Sequence, residues 1–131
     1  PSPTREGDDD VNWPWPAALP LLANFDEGRN VKGLAIGGKL GDPVLAAADG
    51  RVVYAGSGLR GYGNLVIVKH NATFLSAYAH NRKILVQEGQ QVTRGQKIAE
   101  MGSTDSDGVK LHFEIRRQGK PVDPLQYLPR R

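Results

Sequence analysis

Hydrophobic alternation is clearest near the end of the chain. In GVKLHFEIRR (residues 108–117), Val109, Leu111, Phe113 and Ile115 fall on one face, and Lys110, His112, Glu114 and Arg116 fall on the other. Period two predicts a strand over Val109–Arg117 with one face buried and the other meeting water. Similar runs predict strands over Pro43–Ala47, Gly50–Ala55, Asn64–His70, Phe74–His80, Ile84–Val86 and Lys97–Met101. Gly, Asn and Asp punctuate them in ADGR, GYGN and RQGKP, where turns are expected. Only Leu125–Leu128 suggests a helical turn. The prediction is an all-β domain, a compact antiparallel sheet of barrel-like sandwich form with little helix.

Two stretches resemble one another. GDPVLAAADGRVVYAGS (41–57) and EGQQVTRGQKIAEMGS (88–103) both run from Gly to Val three residues on, through a small turn and a strand, to Gly-Ser. Each reads as a hairpin, and the pair suggests a partly duplicated fold. Lipoyl and biotinyl carriers share this pattern, but they display a lysine beside methionine on a hairpin tip. The single methionine here, Met101, is followed by Gly102 and Ser103, so attachment chemistry finds no support.

Composition narrows the function classes. The 131 residues suffice for one domain with a hydrophobic core. Residues 1–12, PSPTREGDDDVN, lack apolar periodicity and read as a disordered arm or linker. Residues 13–131 form the expected domain. The proline-rich WPWPAALP excludes a helix there, and Trp13 and Trp15 are expected to cover one edge of the core. No run approaches the roughly 18 apolar residues of a membrane span. The chain begins at Pro1 without a leader, so any membrane attachment is expected to come from a segment upstream. With no cysteine, thiolate nucleophiles and sulfur-ligated zinc are excluded. One basic residue against four acidic ones gives residues 1–10 a net charge of −3, and 16 against 10 gives the remainder +6. A basic body favours anionic partners. Cations are not interleaved with aromatics, so nucleic acid is not an expected partner.

Three histidines bear on chemistry. His70 ends a strand before a turn, where a structural hydrogen bond is the expectation. Alternation in FLSAYAH sets Leu75, Ala77 and Ala79 against Phe74, Ser76, Tyr78 and His80. His80 and His112 can therefore meet on polar faces or strand ends of neighbouring strands. Two imidazoles begin a zinc site, but catalytic zinc takes three protein ligands and an open position. The third would have to be an acidic residue or His70.

Here the chain resembles a known family, the LytM-type domains of M23 zinc metallopeptidases. KGLAIGGKLGDPVLAAADGRVVYAG, GYGNLVIVKHN, LSAYAHN, VTRGQKIAEMGSTD, LHFEI and PVDPLQYL carry the likeness from about Trp13 to Leu128. The subgroup it most resembles is the NlpD-like activators of cell-wall amidases. The likeness implies the LytM fold, a duplicated hybrid motif. In the family, zinc sits on the His and Asp of an early His-x-Gly-x-Asp and on the second histidine of a late His-x-His. The first late histidine and the histidine ending the Tyr-x-His strand handle the catalytic water. Aligned on Gly33, the early motif reads VKGLA, with Val31 at the histidine position and Ala35 at the aspartate position. Lys110 stands where the first late histidine would be. His80 and His112 alone remain, and Val31, Ala35 and His112 are the vestigial metal positions.

Valine and alanine offer no lone pair. A lysine two residues from His112 on the same strand face opposes any dication. Unit charges about 4 Å apart at an effective dielectric of about 20 repel by about 4 kcal/mol. The expectation is therefore no catalytic residue, no cofactor and no hydrolysis, with His112 the remnant of a dismantled site. The resemblance implies an activator of an N-acetylmuramoyl-L-alanine amidase, periplasmic and tethered to the outer membrane, with peptidoglycan as a further partner. The expected partner-binding groove comprises Val31, Leu34, Ala35, Arg60, Tyr62, His80, Lys110 and His112, with LRGYG (59–63) as one rim. Two alternatives stand beside it. One is a metalloendopeptidase using Asp105, Asp107 or His70 as third ligand; the other is a passive peptidoglycan-binding module.

Overall fold

A computed structural model describes residues 15–17, 21–23, 26 and 32–128. The arm 1–12, Trp13 and Val31 lie outside them. The strands are β1 (Leu21–Ala23), β2 (Leu34–Gly37), β3 (Pro43–Leu45), β4 (Gly50–Gly56), β5 (Asn64–Lys69), β6 (Phe74–Asn81), β7 (Lys83–Ile84), β8 (Gln91–Val92), β9 (Lys97–Glu100), β10 (Lys110–Arg117) and β11 (Lys120–Val122). A 3-10 turn at Pro124–Gln126 is capped by the Asp123 side chain, which accepts from the Leu125 N–H. The architecture is all-β, as the periodicity predicts. Every strand expected from sequence is present with ends shifted by one or two residues. β1, β2, β8 and β11 were not expected; each is four residues or shorter, too brief to show alternation.

The main sheet runs β1-β2-β10-β6-β5-β4-β8, with β11 also on β10, and a second sheet runs β3-β9-β7. All pairings are antiparallel. Ile36, Val52, Val66, Val68, Phe74, Tyr78, Leu111, Phe113 and Ile115 of the main sheet pack with Val44, Ile98, Ala99 and Met101 in one core. Burial of each large side chain is worth about 1.5–3 kcal/mol, which holds the layers together. Trp15 packs against this core, as expected of the tryptophan pair's described member.

The duplicated stretches do not form two hairpins. β3 pairs with β9, and β4 pairs with β8. Between these ladders, the Ala46 N–H donates to the Gln96 carbonyl and the Gly95 N–H to that of Ala46. Each copy thus finds its partner strands in the other copy. The bend between the strands of each copy carries them into different sheets, so neither can close on itself.

Candidate functional site

β2 and β10 bring Ala35 and His112 together, two of the three positions expected to be vestigial; Val31 lies outside the described residues. Their register pairs Ala35 with His112, Leu34 with Phe113 and Lys110 with Gly37. Directly paired residues share a face, so Ala35 sits across from His112. Leu34 shares the face of Phe113 and is buried in the core, so it does not line the groove as expected.

His80 approaches His112 by an irregular route. Continued alternation would place it on the core face with Phe74, Ser76 and Tyr78. Its backbone instead takes φ 68°, a left-handed conformation uncommon outside glycine. The ring lies 6.0 Å from that of His112, whose register partner is Ala79. Two hydrogen bonds hold this conformation: the His80 N–H donates to the Tyr62 carbonyl at 2.8 Å, and Nδ1–H donates to the Thr104 carbonyl at 2.9 Å. Thr104 Oγ1 accepts from the Asn64 N–H and donates to the Asn81 carbonyl. Gly61 N–H donates to Asp105 Oδ2 at 2.7 Å, so the loops around residues 60 and 104 are knitted together.

The outer face of β10 is not the solvated surface that alternation suggests. Leu65, Ala77 and Ala79 form a second small cluster, and Tyr54, Tyr62 and Ile67 pack on it. Beneath this cover Glu114 is fully buried. Its Oε2 accepts from His112 Nε2–H at 2.7 Å and from the Tyr62 hydroxyl at 3.1 Å. Its Oε1 accepts from Arg116 Nε–H at 2.8 Å, and Arg116 Nη2–H donates to the Tyr62 hydroxyl at 3.2 Å. Burial pushes the Glu114 carboxyl up, but the hydrogen bonds and charges of His112 and Arg116 outweigh it and hold it below the usual range. Burial, reinforced by the charge on Glu114, raises the Tyr62 phenol. Sequence reasoning overlooked Glu114 and Arg116 as site residues. The available signal was a carboxylate between two potential cations at i±2 on one strand face.

The lysine at position 110 is partly exposed, and its Nζ lies 3.5 Å from Asp107 Oδ1. Arg60 is exposed and Tyr62 half-buried. The third ligands considered for a working zinc site are engaged elsewhere. Asp105 accepts from Gly61 N–H, and Asp107 is paired with Lys110. His70 donates Nδ1–H to the Asp49 carbonyl at 2.7 Å and meets Ser76 Oγ at 2.8 Å, which in turn meets the Tyr78 hydroxyl. Ser76 pairs with Ile115 on the core face, so the His70 ring is across the sheet from His112. Its structural hydrogen-bonding role is as expected.

Among the described residues the donor set does not fit a catalytic zinc. His112 has one nitrogen committed to Glu114, Ala35 contributes no donor, and Lys110 adds a cation. No group of three or more metal-binding side chains converges among those residues.

Burial lowers the basicity of His70. It does the same to His80, where the Thr104 carbonyl opposes the shift and the charges of His112 and Lys110 add to it. Both groups therefore bind protons more readily unfolded than folded. Stability is complete above pH about 6.5 and falls with acidification below it until the lower folded-state values are passed. Glu114, depressed in the fold, adds a second loss as pH falls through its own value below 4.5. Urea midpoints are expected to drop steadily from pH about 7 to about 5, and His70→Gln should flatten that limb. A midpoint constant over this range would contradict the burial of both imidazoles.

Comparison with known proteins bears on this geometry. The sequence model of peptidase family M23 matches residues 29–124. A lipoprotein NlpD/LppB homolog of Pseudomonas aeruginosa is 70% identical over 120 residues, covering 91% of this chain and 40% of that protein. The murein hydrolase activator NlpD of Escherichia coli is 57% identical over 121 residues, covering 91% of this chain and 32% of its own length. The chain thus spans well under half the length of these relatives. A zinc-containing peptidase from Vibrio cholerae superposes with a TM-score of 0.81 at 31% identity, over 88% of this chain and 40% of that one.

Proposed function

The chain belongs to peptidase family M23, and on that premise we propose that it activates a cell-wall amidase instead of cutting peptidoglycan itself. The observation that carries this reading is the pairing of Ala35 with His112 while Lys110 occupies the same strand face. Where the family's peptidases keep a metal, this chain presents a methyl group and an ammonium. The names of its relatives, a murein hydrolase activator and a lipoprotein homolog, point the same way.

In this reading the groove formed by Ala35, His80, Lys110 and His112, rimmed by Arg60 and Tyr62, receives the amidase. An exposed arginine such as Arg60 is a frequent anchor of binding surfaces. The partner supplies the catalysis, hydrolysing the bond between N-acetylmuramic acid and L-alanine. The module need only bind the partner's open state better than its closed one. A tenfold shift requires about 1.4 kcal/mol of differential affinity. The location is the cell envelope, on its periplasmic side, with tethering to the outer membrane through sequence outside this chain.

The test is release of dye from labelled sacculi by a purified N-acetylmuramoyl-L-alanine amidase, with and without this protein, alongside zinc analysis. The chain alone is expected to release nothing and to raise the amidase's rate. Lys110→Glu should cut stimulation about tenfold, the effect of losing one charge-assisted contact, with little change in melting temperature. Chelator-sensitive hydrolysis by the chain alone would overturn the proposal.

A further inference from the structure

One cross-strand row crosses the outer face of the main sheet beside the groove. Register pairs Arg116 with Leu75, Leu75 with Lys69, Lys69 with Arg51, and Arg51 with Gln91. Five strands thus contribute five side chains to one line, spaced by about 4.8 Å per strand. At one end Arg116 is neutralised by Glu114. Further along, Lys69 and Arg51 are both exposed and face each other directly. Neither has a carboxylate within ion-pairing distance among the described residues. Like charges directly opposed across strands are destabilising, so the pair calls for an anion from outside the fold. Both cations border a concavity of about 450 Å3, with His70, Asn71 and Gln91 on its wall.

We propose that Arg51 and Lys69 form a carboxylate-binding subsite for the peptides of the cell-wall polymer, in line with the groove through Leu75 and Arg116. The row runs across the strands, so an extended acidic chain lying along it meets the aliphatic surface of Leu75 and then the two cations, Lys69 and Arg51. The exposed Gln91 amide is placed to serve a peptide backbone. Val53 is the one exposed apolar residue at the concavity, which offers little for insertion into lipid. The identity of the ligand rests on the activator reading: an amidase held in the groove needs its polymer beside it. The anion site itself rests on the two cations.

The experiment is co-sedimentation of the chain with isolated sacculi over a range of salt concentrations. The double variant Arg51→Gln/Lys69→Gln should bind about tenfold more weakly or worse, with a shallower salt dependence. Its urea midpoint should not fall, because both side chains are exposed and repel one another. It should still capture the amidase, whereas Lys110→Glu should keep sacculus binding and lose stimulation. Sacculi whose peptide carboxylates have been amidated should bind the native chain as weakly as untreated sacculi bind the double variant. Equal binding of native chain and double variant to untreated sacculi would overturn the subsite, as would indifference to amidation. Loss of binding to phosphatidylglycerol vesicles, with sacculus binding intact, would overturn the wall assignment in favour of lipid. If the native chain fails to stimulate amidase while its sacculus binding still depends on the pair, the subsite stands and the activator reading falls.

Discussion

Replacing Glu114 by alanine is expected to cost about 3–5 kcal/mol of stability, the usual range for removing one partner of a buried ion pair. This carboxylate is fully buried and accepts from His112, Tyr62 and Arg116. Without it the Arg116 guanidinium is left in a half-covered site with no opposing charge, and two further donors lose their acceptor. Truncation also opens a void beneath Gly33, because a Cβ built there would lie 2.9 Å from Glu114 Cγ. Denaturant unfolding followed by tryptophan fluorescence measures the loss. Glu114→Gln keeps the volume but only one acceptor oxygen and no charge, and its NH2 faces a donor, so it should fall between the native chain and alanine. A loss under 1 kcal/mol for Glu114→Ala would mean that the face opens to water and that Tyr62 is not its cover.

A methyl group at Gly33 should be nearly as damaging. Its Cβ would run into the Phe113 carbonyl as well as Glu114 Cγ. The carbonyl belongs to β10 and cannot swing aside like a flexible side chain, so β2 must move away from β10. A loss of about 3 kcal/mol or more is expected, at the severe end of overpacking. Gly108→Ala is the control, since nothing lies within 4 Å of its Cβ, and a change within about 0.5 kcal/mol is expected there. Unfolding midpoints of both variants settle the comparison. Equal, small losses would show that β2 sits further from β10 than described.

These two predictions mark where sequence reading stopped. Period two in GVKLHFEIRR located β10, and its apolar half is buried as read. Its polar half was read as solvated, because alternation reports which residues share a face and not what lies above that face. The cover comes from Tyr62, 52 residues away from Glu114, so no local pattern could report it. The same limit applies to His80. It approaches His112 as expected, with ring centres 6.0 Å apart, but alternation reports neither the left-handed backbone nor the Tyr62 and Thr104 carbonyls that hold it. Leu34, expected in the groove, is buried in the core instead, because its pairing with Phe113 sets it on the inner face.

The all-β class, seven of the strands and the family are legible in the residues alone. These follow from short-range periodicity, turn chemistry and residue identity, which need no knowledge of distant contacts. Long-range packing alone sets the pairing of each repeat with the other, the burial of Glu114 with its three donors, and the facing of Arg51 and Lys69. Each of those depends on which strands pair and in what register, and register is set by the packing of the whole sheet.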